Sequence, residues 1–113
     1  MASTDRILRQ IRLEPTIAKQ MKVVAEAWVI DDAELYDQIM IEFLNAYKDK
    51  PIVYLSQPKD EKVTNVRLLN DVFLDVEKRA DIDKRSIPNI IYTAFIWFAK
   101  NNNFDLTDIV HNQ

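Results

Sequence analysis

The period of apolar and polar positions changes several times along this chain, and the changes come in the same order twice. Residues 6–13, RILRQIRL, alternate imperfectly: with Ile11 and Leu13 turned to a core, period two puts Gln10 and Arg12 on the opposite face. Glu14-Pro15-Thr16 closes the extended piece and can open a helix, since Pro is tolerated in a first turn. From 15 to 28, Ile17, Met21, Val24, Ala25 and Trp28 form one face of a helix, with Lys19, Gln20, Lys22 and Glu26 on the wet side. Asp31, with Glu34 three residues on, starts a second helix in the manner of a capping box. That helix runs to about Tyr47 and has a wide apolar face: Leu35, Ile39 and Phe43, flanked by Tyr36, Met40 and Leu44. A connector follows, broken by Pro51 and Pro58, within which Ile52-Val53-Tyr54-Leu55 could form a short extra strand. Residues 64–68 alternate again. A helical pattern runs from about Asn70 to Ile82, a polar turn from Asp83 to Ser86, and a more apolar helix from Ile87 to Lys100. Asn101-Asn102-Asn103 ends it, and residues 106–110 can add one helical turn capped by Asp105 or Thr107. Residues 1–5 read as a loose terminus.

The two halves superpose in sequence at a shift of 55 residues. Ile11 falls on Val66, Arg12 on Arg67, Leu13 on Leu68, Ala25 on Ala80, Ile41 on Ile96 and Phe43 on Phe98. The register holds without a gap through Asn45 on Lys100, giving five identities in 35 pairs. Identity at that level is weak; ribbon, helix, turn and helix staying in register together is the signature of an internal duplication.

Composition narrows the reading. A chain of 113 residues, 48% apolar and 29% charged, suits one compact domain or two very small ones. There is no Cys, hence no disulfide framework and no thiolate site, as in a reducing cytoplasm. The absence of Gly removes phosphate loops and dinucleotide fingerprints together, because both need Gly where backbone approaches a phosphate. The start, Met1-Ala2-Ser3-Thr4-Asp5, lacks the layout of a signal peptide, and the apolar run 87–99 is too short for a bilayer and reads as a buried helix. Net charge is −3, against the usual basic footprint of a nucleic-acid binder. Its distribution leaves two readings open: a basic patch of Arg6, Arg9 and Arg12 on an acidic body, or plain surface charge.

Each half, QIRLEPTIAKQMKVVA and NVRLLNDVFLDVEKRA at its start, resembles the ribbon-helix-helix (MetJ/Arc) family of DNA-binding proteins. Two copies in one chain resemble the tandem, TraY-like type, in which one polypeptide supplies both strands. The resemblance implies a mostly α fold: a tandem ribbon-helix-helix pseudo-dimer with a two-stranded antiparallel ribbon, built from residues 6–47, a linker at 48–61 and residues 62–103, together one compact domain. It further implies that the ribbon enters the major groove of double-stranded DNA, where Gln10, Arg12, Asn65 and Arg67 would read bases. Arg can be bidentate to guanine, and Asn or Gln to adenine. A polar solvent face on a half-buried sheet is the plainer alternative. The family also grips phosphate at the start of the second helix. Lys84, Arg85 and Ser86 fit that role, whereas Asp31 and Asp32 occupy the same place in the first copy and would repel a phosphate. The family's usual Gly in the turn is replaced by Val29 and Lys84.

Little supports an enzyme. His111 is the only His and lies in the tail, and the common zinc and nucleophile constellations are missing. Asp71, Asp75, Glu77, Asp81 and Asp83 spread around a helix and its end as a solvated face would, and Trp28 and Trp97 read as core or interface residues. Neither a cofactor, a metal, a small-molecule substrate nor a membrane is expected. The expectation is therefore a cytoplasmic, sequence-specific duplex-DNA binder, a small transcriptional repressor or a plasmid or conjugation accessory factor, with further self-association on DNA possible. The competing expectation is an interaction module, antitoxin-like or defective in DNA binding, that kept this fold.

Overall fold

The computed structural model describes residues 5–112. The loose start read at residues 1–5 lies, but for Asp5, outside the described residues, as does the side chain of His111. The chain is mostly helical, with one two-stranded antiparallel sheet. Strand β1 (Arg6–Arg12) is followed by helices α1 (Pro15–Trp28) and α2 (Asp32–Ala46). Strand β2 (Val63–Leu69) is followed by α3 (Asn70–Asp83) and α4 (Ile87–Asn101), and a 3-10 turn covers Thr107–Asn112.

Pairing runs from Arg6↔Leu69 through Gln10↔Asn65 to Arg12↔Val63. Ile11, Val66 and Leu68 lie under the ribbon, each no more than 1% exposed, and Leu13 is buried just past the strand end. Alternation then turns Leu8, Gln10, Arg12, Val63, Asn65 and Arg67 outward, and all six are exposed. One buried cluster joins the ribbon's inner face to all four helices. Within it α4 is enclosed on every side, its residues Ile90–Ile96 all buried, which is why its sequence is apolar beyond the needs of a single stripe.

The helix bounds repeat at the spacing that separates Gln10 from Asn65, 55 residues: α3 starts and ends one such step after α1, and α4 after α2. The same step carries the pair Leu8↔Arg67 into Val63↔Arg12. Both inter-helix turns close alike. The amide of Ile30 donates to the carbonyl of Ala25 at 3.0 Å and that of Arg85 to Ala80 at 2.9 Å, six-residue closures that require a left-handed residue between them. Val29 (φ 58°) and Lys84 (φ 56°) adopt that conformation without being Gly, at a cost of about 1 kcal/mol each and more for the β-branched Val. At the next helix starts the halves differ chemically. Asp31 accepts from the Glu34 amide at 2.9 Å while the Glu34 carboxylate accepts from the Asp31 amide at 3.1 Å, a complete capping box; Ser86 accepts from the Asn89 amide at 3.2 Å.

The extra strand expected at Ile52–Leu55 is absent, and the stretch is irregular. Its backbone is satisfied by α4 side chains: the Leu55 amide donates to the Thr93 hydroxyl at 3.0 Å, and the Asn89 amide group donates to the Leu55 carbonyl at 2.7 Å. Arg79 fixes the start of the connector, donating to the carbonyls of Tyr47 at 2.7 Å and Lys50 at 2.8 Å and to Asp83 at 2.8 Å. Tyr54 donates its hydroxyl to Asp83. Burial works to raise the Asp83 pKa, but the hydrogen bonds from Tyr54 and Arg79, with the charges of Arg79 and Arg85, bring it below the ordinary carboxylate value.

Candidate nucleic-acid interface

The outward face of the ribbon brings the four expected base readers together. At its centre Gln10 faces Asn65, and the Gln10 amide donates to the Asn65 side-chain oxygen at 2.9 Å. Arg12 faces Val63 on one side of that pair, and Arg67 faces Leu8 on the other. The face thus reads cation, amide pair, cation, with an apolar residue beside each cation. Leu8 and Val63, 41% and 45% exposed, were not among the expected site residues, although the alternation that turns Gln10 and Asn65 outward also turns them outward. Apolar side chains at such positions can contact a thymine methyl.

The two arginines differ in freedom. Arg12 donates from its guanidinium to the Glu61 carbonyl at 2.7 Å, and its amide donates to the Gln57 side chain at 2.8 Å. Among the described residues the Arg67 guanidinium makes no such bond. The involvement of Gln57 and Glu61 had no signal in the sequence, since both come from the connector, more than forty residues away.

The basic cluster of Arg6, Arg9 and Arg12 is divided. Arg6 pairs with the buried carboxylate of Asp37 at 2.9 Å, and Asp37 also accepts at 3.0 Å from the amide of Leu69, the residue before α3, a helix that has no side-chain cap of its own. Arg9, one step out of phase with Arg12, points under the ribbon and lies 4.7 Å over the ring of Phe73. Only Arg12 of the three is exposed on the outward face. The position in α4 equivalent to Asp37 is Tyr92, whose hydroxyl donates to the buried Glu14 carboxylate at 2.9 Å; burial and this neighbour push the Tyr92 pKa well up.

The expected phosphate grip also divides. Pro88, in the first turn of α4, lines the same cleft as Gln10, Arg12 and Val63, so this helix start adjoins the Arg12 end of the ribbon. Lys84 and Ser86 are exposed there, and Ser86 caps the helix. Arg85 is exposed but lies 4.9 Å over the Tyr54 ring, drawn toward the connector. At the start of α2, Asp31 is occupied by its capping box and Asp32 pairs with Lys22 at 3.2 Å. No group of three or more metal-ligating side chains occurs among the described residues, and no helix there is long and apolar enough to cross a membrane. Comparison with known proteins gives no matching family model, no matching curated protein and no matching solved structure.

Proposed function

We propose that the chain is a tandem ribbon-helix-helix pseudo-dimer that binds double-stranded DNA sequence-specifically, laying its ribbon in the major groove. The observation that carries this reading is the exposed Gln10–Asn65 pair with Arg12 and Arg67 placed equivalently on either side. A solvated strand face has no need of matched guanidinium and amide groups across a twofold register, whereas bidentate recognition of guanine and adenine uses both. Lys84, Arg85 and Ser86 would hold the DNA backbone at the Arg12 end, and the acidic start of α2 would make the clamp lopsided. A cytoplasmic role as a small repressor, or as a plasmid or conjugation accessory factor, fits such an activity, with further self-association on neighbouring sites.

Selection from random duplexes followed by mobility shifts at several salt concentrations tests the reading. Arg67→Ala should cost roughly 1–3 kcal/mol on the selected sequence and much less on a scrambled one. Arg12→Ala should cost less than Arg67→Ala, because Arg12 must share its guanidinium with the Glu61 carbonyl. Equal losses on selected and scrambled duplexes would reduce both residues to backbone contacts. The second reading, an interaction module without DNA binding, is favoured by the capped and acidic start of α2. It would be adopted if the parent protein bound no duplex at low salt.

A further inference from the structure

We infer, resting on the duplex-DNA reading above, that the connector is a third DNA-contacting element, in which Lys59 holds a backbone phosphate beside the base pair met by Arg12. A cleft of about 510 Å³ is lined by the ribbon's outward residues Gln10, Arg12 and Val63 together with the connector residues Gln57, Pro58 and Lys59. Because the first three belong to the outward face, the cleft adjoins whatever that face meets.

The connector is irregular at this point, yet it is tied down on both sides of Lys59. Before it, the Gln57 side chain accepts from the Arg12 amide at 2.8 Å, and Pro58 is buried. After it, the Glu61 carbonyl accepts from the Arg12 guanidinium at 2.7 Å, and the Lys62 carbonyl accepts from the Leu13 amide at 3.5 Å. The backbone that carries Lys59 is therefore placed before any DNA arrives, and only the side chain has to be ordered on contact. Lys59 is exposed, and among the described residues no carboxylate pairs with its ammonium. The connector also carries Asp60 and Glu61, but neither lines the cleft, so the charge presented there is that of Arg12 and Lys59. One of these cations stands among the base-reading residues and the other just outside the ribbon, which matches a base edge and the phosphate flanking it. Counted by the 55-residue step, the equivalent of Lys59 is the neutral Thr4, so the duplication supplies this cation to the Arg12 end only.

The probe is the duplex selected by the parent protein, used intact and with single methylphosphonate substitutions that each remove one phosphate charge. Lys59→Ala in the full chain should flatten the dependence of log K on log salt by about 0.9, and Lys59→Arg, which keeps the charge, should restore it. One methylphosphonate, on the side of the site where Arg12→Ala relaxes base preference, should weaken the parent and leave Lys59→Ala unaffected. Lys19→Ala removes an exposed cation of α1 outside the cleft and should leave the slope unchanged. Thermal melting of Lys59→Ala should match the parent, since the side chain is exposed. A parental slope in Lys59→Ala, an equal flattening by Lys19→Ala, or no methylphosphonate that distinguishes the two proteins would each overturn the inference. If Arg67→Ala still relaxes base preference in those cases, the DNA reading stands without the connector contact. No binding of any duplex by the parent at low salt removes both.

Discussion

The starts of α2 and α4 hold equivalent places one 55-residue step apart, yet one is built from carboxylates and the other from cations and a hydroxyl. Both are good helix caps: Asp31 with Glu34 on one side, Ser86 on the other. The difference therefore concerns surface potential rather than helix stability. A carboxylate cap neutralises the positive end of the helix from within, whereas a serine cap leaves that end, and Lys84 beside it, available to an external anion. The two halves share a scaffold and still present opposite charge at this point. The same division appears inside, where Asp37 is buried as half of an ion pair and Tyr92 as a neutral donor to Glu14.

That internal contrast carries the largest expected effect. Asp37→Ala leaves the Leu69 amide without its acceptor and the part-buried Arg6 guanidinium with the Arg67 carbonyl alone, and should destabilise the fold by about 2–3 kcal/mol. Tyr92→Phe removes one hydroxyl donor from Glu14 and should cost about 1–2 kcal/mol. Urea unfolding of the two variants measures both; equal losses would mean that the two positions differ in name only.

If the chain binds DNA as proposed, Lys84→Glu with Arg85→Glu should weaken binding to all duplexes and flatten the dependence of log K on log salt by about 0.9 for each phosphate no longer neutralised. Asp31→Ser with Asp32→Ser keeps a capping hydroxyl and should leave DNA affinity unchanged or raise it. Mobility shifts across a salt series test the pair, and a need for the aspartates would reverse the polarity of the proposed clamp.

The smallest effect lies in the turns. Val29→Gly relieves a β-branched residue held at φ 58° and should stabilise the chain by about 1 kcal/mol, visible in thermal melting. Lys84→Gly should gain less, since an unbranched side chain tolerates that conformation better. A larger gain at Lys84 would show that strain in the second turn, not charge, sets the halves apart.

Periodicity and capping chemistry were enough to place every helix within about one residue of where it lies, because 3.6-residue stripes, Pro15, the Asp31/Glu34 box and Ser86 act through neighbours a few positions away. Alternation likewise separated Ile11 and Leu13 from Gln10 and Arg12, and the register of the duplication placed Arg67 as the counterpart of Arg12. It failed where partners are distant. Ile52–Leu55 has strand-forming residues but found hydrogen bonds on Thr93 and Asn89, so no strand formed. Arg6, Arg9 and Arg12 read as one cluster because charge in a linear sequence carries no direction. In the fold Arg6 turns to Asp37, Arg9 to Phe73 and only Arg12 to the exposed face. The sequence by itself determined the elements, their order and the two faces of the ribbon, since those follow from local spacing. Only the tertiary structure decided that the connector holds Arg12 and leaves Arg67 open, because that depends on where the chain goes after α2 ends, which partners remote in sequence settle.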